Sequence, residues 1–219
     1  MNEKLIAFIM CANNDQYIEE SLYYIHRLSV PYGYETETFV VRDAPGMAAG
    51  YNQAMRASDA KYKIYLHQDV MIVEKNFILN LLFLFQEPDI GIIGMVGSPS
   101  LPENAVMWFD DRVGYLYSCS PYGIQNDCFG EIHDKYQSVE AVDGLLIATQ
   151  YDIPWREDIF HKWDFYDISQ CQEFLKQGYQ VVVPHMEKPW CIHDCGASNF
   201  KNYFEERRKF LDEYKKTEI

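Results

Sequence analysis

Tyr62-Lys-Ile-Tyr-Leu-His-Gln-Asp-Val70 is the stretch on which the fold turns. Its first part, Tyr62–Leu66, is a short apolar-rich run bounded by polar residues, the pattern of a buried strand. The run then delivers a carboxylate, Asp69, just past its tip. A rigid strand end holds such a group at the mouth of a crevice, where it can ligate a hard cation. An aspartate in this position also starts turns and caps helices, so the segment alone leaves both readings open.

The same design recurs on either side. Leu5–Cys11 is an apolar run ending at Asn13-Asn14-Asp15, Glu37–Val41 ends at Arg42-Asp43, and Ile90–Val96 reads as a fourth strand. Between them lie helical segments. Gln16–Leu28 places Ile18, Leu22, Ile25 and Leu28 near one face, with Asn14 or Asp15 as cap. Gly46–Ser58 carries the small residues Ala48 and Ala49, and Phe77–Phe85 is the third helix. This alternation predicts an α/β domain with a mixed, mostly parallel sheet flanked by helices. Ligands of such sheets sit beyond the carboxyl ends of the strands, and Asn13, Asp43 and Asp69 all fall there.

The second half is less regular. Gly97 to about Gln137 is rich in turn formers and carries Trp108, Asp110 and Asp111, a long irregular stretch of the kind that serves function. Val139–Thr149 reads as a strand interrupted at Asp143-Gly144. Asp167–Gln177 is helical and stops at Gly178, and Gln180–Val183 is a strand closed by Pro184. After His193-Asp194-Cys195-Gly196, Ser198 caps a last helix bearing Phe200, Tyr203, Phe204, Phe210, Leu211 and Tyr214.

Composition narrows the function. The 219 residues are 48% hydrophobic and 24% charged, with a net charge of −14. Such acidity disfavours phosphate backbones and anionic lipid surfaces, so no nucleic-acid partner is expected. An anionic small substrate would instead need a local countercharge, which a carboxylate-held divalent cation supplies. No run reaches the roughly 18 apolar residues of a membrane span. The opening Leu5–Ala12 stretch lacks a signal cleavage pattern, so a cytoplasmic location is expected. In that compartment Cys11, Cys119, Cys128, Cys171, Cys191 and Cys195 are expected to be reduced.

The ordered series Asn13, Asp43, Asn52, His67-Gln68-Asp69, Asp143-Gly144, Trp163-Asp-Phe-Tyr-Asp167, Gly178 and His193 resembles family 2 glycosyltransferases with the GT-A fold. More narrowly, it resembles a bacterial glycosyltransferase-like subgroup with His-Gln-Asp in place of the usual Asp-x-Asp. The resemblance spans roughly residues 4–195. It implies one GT-A domain over residues 1–219, with a nucleotide-binding half (1–96), a donor-sugar and acceptor half (97–195) and a C-terminal helix (196–219). It also implies an inverting enzyme that moves a sugar from a nucleotide-diphosphate donor, expected to be UDP-linked, to a hydroxyl acceptor such as a glycan.

The roles follow residue by residue. Asn13, Asn14, Asp43 and Asn52 would lie along the nucleotide, with His67 toward the ribose or donor sugar; turn chemistry or a plain surface amide is the alternative for each. Asp69 matches the last acid of Asp-x-Asp and, with His193, would hold Mn²⁺ or Mg²⁺. Asp167 matches the base that takes the acceptor's proton, with Asp164 as fallback. Trp163, Phe165 and Tyr166 could form the pocket that raises its pKa toward neutrality; an aspartate stabilised at a helix N-terminus is the alternative. Asp143, Gly144, Trp108 and Trp163 would line the donor-sugar and acceptor pocket, and Trp190 is a further stacking candidate. The family often has another acid where this chain has Ser169. Two rivals remain at this point: a catalytically inactive sugar- or nucleotide-binding domain of the same fold, and a zinc-stabilised module built on Cys191, His193 and Cys195.

Overall fold

The computed structural model describes residues 1–120, 122–194, 196 and 200–215. The first half runs β1 (Asn2–Cys11), α1 (Asp15–Ile25), β2 (Glu35–Val41), α2 (Met47–Ala57), β3 (Ala60–Leu66), β4 (Val70–Ile72), α3 (Phe77–Leu84), β5 (Ile90–Gly94) and β6 (Val96–Ser98). The second half continues through a 3-10 turn (Met107–Phe109) to β7 (Val113–Ser120), β8 (Gly123–Phe129), β9 (Tyr136–Val139), β10 (Ala141–Val142) and β11 (Leu146–Thr149). It closes with α4 (Tyr166–Lys176), β12 (Gln180–Pro184), β13 (Cys191–His193) and α5 (Tyr203–Tyr214).

The strands form two sheets. The larger has the order β2-β1-β3-β11-β5-β12-β9. β1 pairs in parallel with β2 and β3, and β5 with β12, whereas β11 enters antiparallel between β3 and β5 and β9 is an antiparallel edge. β5 and β11 are buried at every position. Both faces are therefore covered, which is what continuous rather than alternating apolar runs require. The smaller sheet has the order β10-β6-β7-β13-β4, with β8 paired along β7.

Local chemistry sets the boundaries. Asn14 caps α1, its Oδ1 accepting from the N–H groups of Gln16 (3.0 Å) and Tyr17 (3.4 Å). The buried face of that helix is Ile18, Ser21 and Ile25, and the Ser21 hydroxyl donates to the Val70 carbonyl at 3.0 Å. α4 gives way to Gly178, whose φ of +86° is left-handed. Lys63 on β3 has a fully buried side chain. Its ammonium donates to the Ala60 carbonyl (2.6 Å) and to both Asp152 oxygens (2.8 and 3.0 Å), the pairing that a buried charge demands. α5 seals a satellite core, where Phe210 meets Phe160 and Phe165.

Three expectations need correction. Ile90–Val96 is not one strand: the chain leaves the large sheet at Met95 and enters the small one as β6. Gly94 is required at that crossing, because a side chain there would strike Val142. The irregular 97–137 stretch contains the β7–β8 hairpin and β9. The last helix starts at Tyr203 after Asn202; the proposed cap Ser198 lies outside the described residues.

Candidate active site

The carboxyl ends of β1, β2 and β3 form one rim. Past β3, Gln68 reaches back across to β1. Its Oε1 accepts the N–H groups of Asn13 (2.9 Å) and Asn14 (3.0 Å), and its Nε2 donates to Asn13 Oδ1 at 3.0 Å. These bonds fix the loops after the two strands relative to each other. Asp43 ends β2 with an exposed side chain and a φ of +57°, a left-handed conformation that costs a non-glycine residue energy. β2, which it follows, is separated from β3 by β1.

Beside Gln68, three potential ligands converge. β13 runs antiparallel to β4, with His193 opposite Val70. Asp69 Oδ1 lies 3.6 Å from His193 Nε2 and 4.0 Å from His67 Nδ1. The two imidazole rings are 5.5 Å apart, and one donor atom from each of the three residues falls within 4.8 Å of the others. Asp69 Oδ1 is buried without a hydrogen-bond partner, an unmet demand of the kind an ion satisfies. Burial, with His193 next to it, lowers the His67 pKa to about 3, so its imidazole is neutral near pH 7 and keeps a lone pair. Burial pushes the Asp69 carboxyl up; His193 opposes that shift, and Asp194 and Asp143 add to it. Two imidazole nitrogens and one carboxylate oxygen fit a divalent transition cation.

The facing wall is built by the β10–β11 turn and the start of α4. Asp143 Oδ1 accepts the Leu145 N–H at 2.8 Å, and the nearby Trp108 indole favours the ionised form of the same carboxylate. Asp167, in the first turn of α4, accepts the Gly144 N–H on Oδ2 at 3.0 Å. Burial, reinforced by the Asp143 charge, pushes the Asp167 carboxyl up to about 7, even though the N–H groups of Ile168 and Gly144 favour its ionised form. The surrounding apolar mass comes from Tyr51, Tyr65, Trp155 and Tyr166, whose ring centroids lie 4.8 to 5.9 Å apart. Tyr166 crosses to the other wall, placing its hydroxyl 2.5 Å from His67 Nε2. Only glycine fits at position 144, since a Cβ there would collide with that hydroxyl. Asp164 is half-buried and faces Glu206 of α5; burial first, and then the Glu206 charge, push its carboxyl up.

Some sequence candidates have other duties. Asn52 is buried, donating from Nδ2 to the Trp155 carbonyl (2.8 Å) and accepting the Trp155 N–H on Oδ1 (2.9 Å). It anchors the 155 loop and offers nothing to a nucleotide. The Asn14 side chain uses its Oδ1 as the helix cap. Trp190 is a core residue edge-on to Phe77, not a stacking platform. Cys191 is fully buried, and among the described residues the ligand atoms that converge with His193 come from His67 and Asp69, not from Cys191; Cys195 lies outside the described residues. Ser169 is buried, its hydroxyl donating to the Tyr166 carbonyl at 2.9 Å. Trp108 and Trp163 are both partly exposed. The sequence reading had assigned no role to Gln68, to Tyr166's hydroxyl or to Asp194, whose Oδ2 accepts from the Tyr17 hydroxyl at 3.3 Å.

A family model described as a glycosyltransferase-like family matches residues 7–214. Among solved structures, the chain is similar to the mannosyltransferase PcManGT from Pyrobaculum calidifontis in complex with GDP-Man and Mn²⁺. The TM-score is 0.62 at 12% identity, covering 100% of this chain and 66% of that one. It is also similar to S. aureus TarS 1-349 (TM-score 0.60, 11% identity, 94% of this chain and 65% of that one) and to its UDP complex (TM-score 0.59, 12% identity, 99% and 67%). The first two of these are longer proteins, of which this chain spans just under two thirds. The shared architecture is the GT-A fold. No curated protein matches the chain, and among the described residues no helix is long and apolar enough to cross a membrane.

Proposed function

We propose, on the premise that this chain belongs to the glycosyltransferase-like family, that it transfers a sugar with inversion from a UDP-linked donor to an acceptor hydroxyl. The observation that carries the reading is the opposition of two differently tuned carboxylates. Asp69 sits among imidazoles with an oxygen to spare. Asp167, on the facing wall, holds a proton-accepting group poised near neutrality.

In this reading Asp43 and the Asn13–Gln68 rim take the nucleotide, and His67, Asp69 and His193 would hold a divalent cation. Two nitrogen donors favour Mn²⁺ over Mg²⁺. When bound, the cation supplies Lewis-acid neutralisation of the departing diphosphate. The acceptor oxygen bonds to the anomeric carbon from the face opposite the diphosphate. The carbon–oxygen bond to phosphate breaks, its electron pair leaves with UDP, and the acceptor's proton passes to Asp167. The Gly144 N–H steadies that carboxylate through one oxygen. Asp143, Trp108 and Trp163 line the sugar and acceptor side, and Asp164 stands further out toward α5. His67 shares a ligand cluster with Asp69 and His193, which favours a working site over an inactive relic.

The test is thermal. UDP with Mn²⁺ is expected to raise the melting temperature, and EDTA to cancel the gain. No shift with any nucleoside diphosphate, with or without Mn²⁺, overturns the reading.

A further inference from the structure

We propose that the acceptor is a neutral saccharide of at least two residues, whose outer residue stacks on Phe200, Tyr203 and Phe204 beside Asp164. The proposal rests on the reading of Asp167 as the base and names the class of acceptor which that base serves.

The starting point is a strained residue. Phe165, two positions before Asp167, has a φ of +61°, a left-handed conformation that an aromatic residue adopts only where its surroundings over-determine it. Its ring is buried against Tyr203 (5.0 Å between centroids) and Phe210 (5.7 Å) of α5. The strained turn thereby fastens the first turn of α5 to the segment that presents the base.

From Tyr203 the rings continue outward. Phe200 and Phe204 each stand edge-on to it with centroids 5.7 Å away, and they are 60% and 74% exposed. Burial first, and then the Asp167 charge, push the half-buried Tyr203 hydroxyl up; Arg207 opposes that shift and Asp164 adds to it. Tyr203 therefore lies within electrostatic reach of both carboxylates. One sugar residue placed at the base leaves Phe200 and Phe204 to the next. Contiguous exposed rings beside a reaction site mark a binding surface.

Charge selects the occupant. The charge acting on Asp164 is the like one of Glu206. The neighbouring cations are engaged elsewhere: Arg207 donates to the Asn104 carbonyl and the Lys209 ammonium to Glu206, each at 2.6 Å. An anionic acceptor would meet the Asp164 carboxylate without a countercharge, and a plain hydrocarbon would cover it unpaired. A neutral sugar offers C–H faces to the rings and hydroxyl donors to the carboxylate, and so satisfies both.

The experiment is calorimetry on the full chain with UDP and Mn²⁺ present. The probes are neutral oligosaccharides of one to three residues, built from glucose, mannose, galactose or N-acetylglucosamine. In at least one series the second residue is expected to tighten binding about 10-fold. Phe204→Ala and Asp164→Asn should each shrink that gain to about 3-fold or less, whereas Tyr32→Ala, which removes an exposed ring outside the strip, should leave it intact. No gain with length in any series overturns the proposal, as does a gain that survives both variants. Binding to phosphatidylcholine vesicles in place of every saccharide assigns the rings to a lipid surface and overturns it too. Loss of the thermal shift with UDP and Mn²⁺ in the wild type sinks the transferase reading itself; with that shift present, failure of the saccharides sinks this proposal alone.

Discussion

The two walls of the site are made differently. The β1–β3 rim is held by neutral amide hydrogen bonds at an exposed edge, where Asn13 and Gln68 satisfy one another. The α4 wall is held by packing, and its carboxylates sit against aromatic rings that shift their acidity. A rim of satisfied amides is suited to recognising a polar ligand without altering its chemistry. A carboxylate in apolar surroundings is suited to moving a proton near pH 7.

The largest effect should come from the packed wall. Asp167→Asn is expected to lower turnover by about 1,000-fold, within the range for a general base, while donor affinity measured by calorimetry stays unchanged. Comparable loss of both would dissolve the contrast between walls. In the wild type, kcat/KM should rise with pH through about 7, because the base must be ionised. The stability sign is the opposite. A carboxyl whose pKa moves from 3.8 up to about 7 on folding contributes stability below pH 3.8 that is lost as pH rises through about 7. Asp167→Asn should therefore gain melting temperature relative to wild type across that window.

Asp69→Asn should weaken Mn²⁺ binding by at least about 100-fold, more than the loss of an outer partner costs, and should erase the thermal gain from UDP with Mn²⁺. Asn52→Ala should cost about 2 kcal/mol of stability in chemical denaturation by stranding the Trp155 N–H and carbonyl. Its Mn²⁺ affinity should not change, which separates an anchor from a ligand. The smallest effect belongs to Asp43. Asp43→Gly relieves a left-handed backbone worth about 1 kcal/mol and should hold or raise the melting temperature while lowering UDP affinity. Unchanged UDP affinity would remove Asp43 from the nucleotide side.

The rim was legible in the sequence because each strand there is a local apolar run and each site residue follows within a few positions. The β5–β6 crossing was not, because Ile90–Val96 is unbroken in hydrophobicity and only the Gly94–Val142 contact reveals the change of sheet. The β7–β8 hairpin was hidden for another reason. Among the described residues β8 pairs with β7 alone, and it is largely exposed, so Gly123–Phe129 carries no apolar alternation and reads as a loop. Asp167 could be nominated by its place in a pattern, but Tyr166 could not, since its partner His67 lies 99 residues away. The duties of Asn52 were equally non-local, its partner Trp155 being 103 residues distant.

Lys63 gives the strand that carries Asp69 a reason to stay in register. Sliding β3 by one position would turn its ammonium to the opposite face, away from Asp152, and strand a charge among hydrocarbon. The same slip would drag Asp69 off its place six residues further on. A cation that never touches the reaction thus acts as a ruler, setting to within one residue where the strand's last carboxylate comes to rest.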